Sequence, residues 1–289
     1  MEPMSRIERA LTTAVARAEA PGCPPLLAAA MRHAVFPRGA RIRPRLCLAV
    51  AMACGDDAPE MADAAAASIE LLHCASLVHD DLPCFDDADM RRGKPSVHRA
   101  FGEPLAVLAG DALIVLAFQT LAYAAACAPQ RLPALMLTVG RSVGVPCGIV
   151  AGQAWECEPA ADLAQYQREK TGALFAAATV SGAAAAGADA EPWRLLGERL
   201  GEAYQVADDI RDVACTREEL GKPIGQDAAL GRPSAVQELG LDGAILRLEE
   251  LADGAVAAVP ACPGGNGLRA HILSETRRLL PKELARHAA

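Results

Sequence analysis

Residues 61–81, MADAAAASIELLHCASLVHDD, are apolar on nearly every side at helical spacing, and Pro83 closes the run. A helix that is apolar all round offers no face to water, so other elements must surround it. Pro- and Gly-rich breaks at 20–25, 36–44, 53–60, 91–96, 127–133, 144–148, 187–193, 216–227 and 260–265 divide the rest of the chain. Between them lie segments of roughly 10 to 30 residues with helical periodicity and almost no strand-like alternation. Hairpin signals such as Asn-Gly between alternating runs are missing. Hydrophobic residues make up 52% of the 289 but aromatics only 3%. That palette suits close-packed helices better than strands. No repeat or low-complexity linker divides the chain, and the expectation is one all-α domain, 1–289, of about ten or more helices.

The formal charge of −8 argues against nucleic acid, whose phosphates demand a basic face. The ten cysteines are scattered without a CxxC pair and read as reduced core thiols. The first 22 residues carry acids early and no apolar h-region, so they do not read as a signal peptide. Residues 104–128 reach the ~20 needed to cross a bilayer. They contain Asp111 and Gln119, however, and the better reading is a buried helix of a large bundle. The expectation is a soluble, cytoplasmic protein and not an integral membrane protein.

Chemistry concentrates in HDDLPCFDDADMRRGKPSVH, residues 79–98. Asp80 and Asp81 fall at the C-terminal end of the long helix, where unpaired carbonyls already place negative charge. Asp86 follows Asp80 by six residues, about 600° around an uninterrupted helix. The two converge only if Pro83 turns the chain. Oxygen-only ligands without His or Cys suit a hard ion such as Mg2+, completed by substrate phosphates. Arg91, Arg92 and Lys94 are then placed for phosphate oxygens. Farther on, EAYQVADDIRDV (202–213) sets Asp208 and Asp212 on one helix face, with Asp209 about 100° around. DDxxD alone is weak. A second cluster embedded in apolar residues makes coincidence a poor explanation.

These motifs resemble those of the trans-isoprenyl diphosphate synthases, with DDxxxxD at Asp80, Asp81 and Asp86 and DDxxD at Asp208, Asp209 and Asp212. GARIRP (39–44), LAGDAL (108–113), GQ (152–153), EKTGALF (169–175) and GKPIGQD (221–227) extend the match in the family's order, with wording most similar to bacterial carotenoid-pathway geranylgeranyl diphosphate synthases. The resemblance implies a large helical bundle around a central apolar cavity, usually as a homodimer. It also implies Mg2+-dependent joining of isopentenyl diphosphate to a dimethylallyl, geranyl or farnesyl diphosphate.

By the same resemblance, Asp80 and Asp86 hold two Mg2+ ions and Asp208 a third. Arg91, Lys170, Thr171, Gln205 and Lys222 contact the allylic diphosphate. Arg43, His73 and Arg92 hold that of isopentenyl diphosphate. His73 also precedes Asp80 by seven residues, nearly two turns, on one helix face. Two departures stand out: Ala40 where Lys is common, with Arg38 or Arg41 as the only nearby substitutes, and Glu156 where Asp is frequent. The family's length-setting position falls on Ala75, beside Cys74 and Ser76. A methyl there implies a C20 product, with Phe118 as candidate for a deeper floor. Alternatives are a C15 farnesyl diphosphate synthase, a non-catalytic partner subunit and a terpene cyclase. The subunit would have lost part of an aspartate set, and the cyclase would have no use for a second diphosphate site.

Overall fold

A computed structural model describes residues 2–36, 39–159, 168–214 and 234–279. Among them are twelve α-helices, as the periodicity predicts. The run read at 61–81 forms α4 (Pro59–Asp80), with most of its residues buried. It lies among α3 (Ile42–Cys54), α6 (Glu103–Ala124) and α9 (Ala173–Ala185). Every residue of α9 from Leu174 to Ala185 is buried, the clearest case of a helix without a solvent face. The chain begins with α1 (Pro3–Ala18) and α2 (Pro25–Val35). Arg6 fastens α1 by donating to Asp56 at 2.5 Å, just before α4, and to Asp63 at 2.6 Å, within its first turns.

Small helices α5 (Val97–Phe101), α7 (Leu132–Val143) and α8 (Ile149–Ala154) complete the middle of the bundle. Then α10 (Arg194–Ala214), which carries the second aspartate set, packs on α11 (Ala235–Ala257) through Val206, Ile210, Leu248 and Leu251. The last described helix is α12 (Gly265–Arg277).

Two readings need correction. A minimal antiparallel hairpin joins β1 (Met90–Arg91) to β2 (Lys94–Pro95), although no hairpin was expected. Its turn has positive φ at both Arg92 (53°) and Gly93 (76°), the handedness that two-residue hairpins need. Arg-Gly supplies it here in place of Asn-Gly. The segment read as a buried helix at 104–128 ends at Ala124, and its most apolar stretch is only 44% buried, against 78% for α4. Both helices are long and apolar enough to cross a membrane, but α4 spends its apolar surface inside the bundle.

The absence of a side chain at Gly182 lets α9 approach α3 closely, because an added Cβ would collide with the Cys47 carbonyl oxygen. Gly182→Ala should therefore lower the unfolding free energy by about 1–3 kcal/mol, measured by urea denaturation. An unchanged midpoint would mean that the two helices sit farther apart.

Candidate active site

A cavity of about 1170 Å3 opens between α3, α4, α6, the hairpin, α8 and α10. Asp80, Asp208, Arg43, His73, Arg91, Arg92 and Lys170 lie on its wall, together with apolar Ala75, Ile114, Val143, Ile149 and Leu174. Along α6 the wall residues are Val107, Asp111 and Ile114, one stripe at helical spacing. The Val107 carbonyl lies 3.2 Å from His79 Nε2, next to the Asp80 end of α4. Ile114 stands two turns, about 10 Å, farther along α6.

The turn expected at Pro83 brings Asp86 back beside Asp80, although of the first set only Asp80 is on the cavity wall. Asp86 donates its backbone N–H to the Asp80 carbonyl at 3.0 Å, and Asp87 and Ala88 bond back to Leu82 and Asp81. Burial raises the Asp80 carboxyl above the usual carboxylate range, Lys170 opposes this, and Asp86 adds repulsion. Lys170 Nζ lies 3.3 Å from Asp80 and 2.7 Å from Glu156, whose other oxygen accepts from Gln153 at 2.8 Å. Gly152 lets α8 lie against the backbone that carries Lys170, since a Cβ there would meet the Lys170 backbone nitrogen at 2.5 Å. Asp81 is instead 1% exposed, off the cavity wall, and turned to Arg91, whose Nε reaches it at 2.9 Å.

In the second set only Asp208 lines the cavity, with Arg211 at 3.4 Å. Asp209 is buried, accepting from Gln205 Nε2 at 3.0 Å and from the Ala235 backbone at 2.8 Å, where α11 begins. Asp212 is buried and off the wall. Asp80 and Asp208 thus face the cavity, while Asp81 and Asp209 hold its supports. Among the described residues, no three His, Cys, Asp or Glu side chains form a metal cage. The oxygen donors on the wall fit a hard divalent ion whose remaining ligands come from a substrate.

Arg43 is stacked on Phe175 (4.5 Å from the ring centroid) and reaches Tyr204 (5.9 Å). Its Nη1 donates to His73 Nε2 at 3.4 Å. Burial, then Arg43 and Arg92, hold the His73 imidazole well below its ordinary pKa, so it is neutral with its proton on Nδ1. Thr171 donates to Gln205 Oε1 at 3.4 Å, joining two of the expected diphosphate contacts. Lys94 is exposed and off the wall. Arg38, Lys222 and the GKPIGQD segment lie outside the described residues. Ala40 puts a methyl on the wall, and the Arg41 side chain cannot cover for a lysine there, because it is consumed by Glu8, Glu70 and the Val35 carbonyl.

Ala75 and Ser76 line the cavity, and Ala75 is only 1% exposed. Phe118 follows Ile114 on the same stripe, but it packs half-buried against the core and is not on the wall.

The depressed His73 pKa has a definite sign. In the unfolded chain the imidazole takes up a proton as the pH falls through about 6.5, while the folded one does not, so stability is lost on acidification. The raised Asp80 and Asp81 values act in the opposite direction and are common to both proteins in a comparison. His73→Gln should therefore lose less stability than the parent between pH 7.5 and 5, read by thermal melts. Equal losses would place a charged imidazole in the native site.

The sequence profile of the polyprenyl synthetase family matches residues 24–250. The geranylgeranyl diphosphate synthase of Cereibacter sphaeroides is 55% identical over 280 residues, 97% of each chain. That of Rhodobacter capsulatus is 55% identical over 259 residues, 90% of each. A Helicobacter pylori geranyltransferase solved with magnesium and isoprenyl diphosphate superposes with a TM-score of 0.78 at 29% identity, covering 96% of this chain and 98% of that one. A Legionella pneumophila geranyltransferase shares the fold at a TM-score of 0.81 and 24% identity, over 99% of this chain and 96% of that one. The all-α bundle, one aspartate of each set on a single cavity and this likeness over most of its length make the chain a member of the polyprenyl synthetase family.

Proposed function

We propose that the chain, as one domain over 1–289, condenses isopentenyl diphosphate with an allylic diphosphate in trans and releases mainly C20 geranylgeranyl diphosphate. One observation carries the reading. Asp80 and Asp208, on different helices, face a single cavity that also presents Arg43, Arg91, Arg92 and Lys170 and then continues between apolar walls. A cyclase acting on one diphosphate has no need of the second cationic group.

Asp80, Asp86 and Asp208 would hold Mg2+, three ions in all. Bound there, the metal neutralises charge developing on the departing diphosphate. Arg91, Lys170, Thr171 and Gln205 orient the allylic diphosphate, and Lys222 joins them by resemblance. Arg43, Arg92 and the Nδ1–H of neutral His73 hold the diphosphate of isopentenyl diphosphate, so that its double bond lies in line with the allylic carbon. Apolar walls exclude the water that would quench an allylic cation. The released diphosphate takes the final proton. The small Ala75 leaves room for a C20 chain, and Phe118, one turn beyond the wall residue Ile114, would be the deeper floor.

The same reading makes the enzyme cytoplasmic and homodimeric. Leu108, Val115 and Tyr123 of α6 are 52%, 56% and 59% exposed, an apolar face on a helix that also lines the cavity. Light scattering at micromolar concentration should give a dimer mass, and a monomer mass would contradict this.

Incubation with Mg2+, labelled isopentenyl diphosphate and each allylic starter should yield mainly C20. No product from any starter would point to a non-catalytic subunit. Asp80→Ala or Asp208→Ala should lower turnover by roughly 10²–10³-fold or more with the fold retained. Wild-type rates in either would remove the metal assignment. Ala75→Phe should stay active and accumulate C15 farnesyl diphosphate, because a lumen held open for a chain accepts a ring with little strain. Continued C20 synthesis would move the shaft to another face of α4.

A further inference from the structure

Glu70 is the one acid deep inside the apolar run of α4, and it is 1% exposed. A buried carboxylate persists only with cationic partners. Its Oε1 accepts from Arg41 Nη1 at 2.6 Å, and Arg92 Nη2 lies 3.7 Å from the same oxygen. The Arg41 guanidinium is turned wholly into the protein. Its Nε donates to Glu8 of α1 at 3.0 Å, its Nη2 donates to the Val35 carbonyl at 2.9 Å, and its side chain is 0% exposed.

Arg92 differs. Arg41, Glu70 and Arg92 all border the cavity, but only the Arg92 side chain is open to it, at 22% exposed, and its approach to Glu70 is longer than a hydrogen bond, so the carboxylate attracts the guanidinium without saturating its five N–H donors. Gly39 closes the other side. A Cβ there would lie 2.6 Å from Arg92 Cζ, 2.8 Å from Nη2 and 2.9 Å from Nε, so the guanidinium rests flat on the Gly39 backbone. Arg92 also springs from a turn residue with φ of 53°, which fixes where its side chain starts.

We propose that Glu70 and Gly39 are positioning residues for Arg92, and that the Glu8–Arg41–Glu70 chain makes α1 part of the support for the isopentenyl diphosphate site. Glu8, Glu70 and the Val35 carbonyl together hold the inner guanidinium, while the outer one, drawn by Glu70 alone, keeps positive charge for a diphosphate. This rests on the assignment of Arg92 to isopentenyl diphosphate given above.

Steady-state kinetics of the full chain with Mg2+, varying each substrate in turn, provide the test. Gly39→Ala should raise KM for isopentenyl diphosphate roughly tenfold, leaving KM for the allylic substrate, kcat and Tm near the parent's. Arg92→Ala should raise the same KM at least as much. In the Arg92→Ala background Gly39→Ala should add nothing, because the group it displaces is gone. Glu70→Gln should show the same non-additivity with a lower Tm, because Arg41 loses its partner. A silent Gly39→Ala beside an effective Arg92→Ala overturns the positioning role alone, and so does an equal effect of Gly39→Ala with and without Arg92. A silent Arg92→Ala overturns the underlying assignment and this proposal with it.

Discussion

The site is organised around a repulsion. Asp80 sits at the carbonyl end of α4, partly desolvated and beside Asp86, where both the helix and its neighbour disfavour a negative charge. Lys170 lies against it, and Arg91 is aimed by Asp81 from behind. The sharp return after Pro83, the Arg-Gly turn and the π-helical turn at Arg168–Gly172 all serve to bring these charges together. These cations offset the local repulsion, and the arrangement has the right charges for a larger, more highly charged guest.

The cations fall into two groups with different anchors. Lys170 is tied to Glu156, and Thr171 to Gln205, and these groups follow α8 and α10. Arg43 and Arg92 depend on the rings of Phe175 and Tyr204 and on Glu70. Between them the neutral His73 separates positive groups without adding charge. Glu156, where the resemblance leads one to expect Asp, holds both Lys170 and Gln153, so the departure is accommodated within the site.

Much of this was legible in the sequence. The apolar run before Pro83 specifies α4, the turn at Pro83 returns Asp86 near enough to Asp80 to repel it, though not onto the cavity wall, and the spacing of the second set places Asp208 on a helix. Other features depend on contacts distant in sequence. Nothing local shows that Asp81 and Asp209 turn from the cavity to hold Arg91 and the start of α11, because side-chain direction there is set by partners 10 and 26 residues away. Glu70 did leave a signal, a lone acid in an apolar helix, which implies a buried cation. Its partner Arg41, beside the position where the family has Lys, reads from sequence as a phosphate ligand instead. The exposure of α6 was also hidden, since composition alone does not distinguish a face packed inside one chain from one left outside.

The central claim is that carboxylates on two separate helices form one site, which metal and diphosphate complete together. Calorimetric titration with inorganic diphosphate, with and without Mg2+, tests it most directly. Without metal, Asp80 and Asp208 should repel the anion and binding should be weak. Mg2+ should tighten it by at least about 10²-fold, a coupling that is reciprocal by linkage. Asp208→Asn should lose most of that gain although Asp80 is untouched. Equal diphosphate affinity with and without Mg2+, or a full gain surviving in Asp208→Asn, would contradict the account.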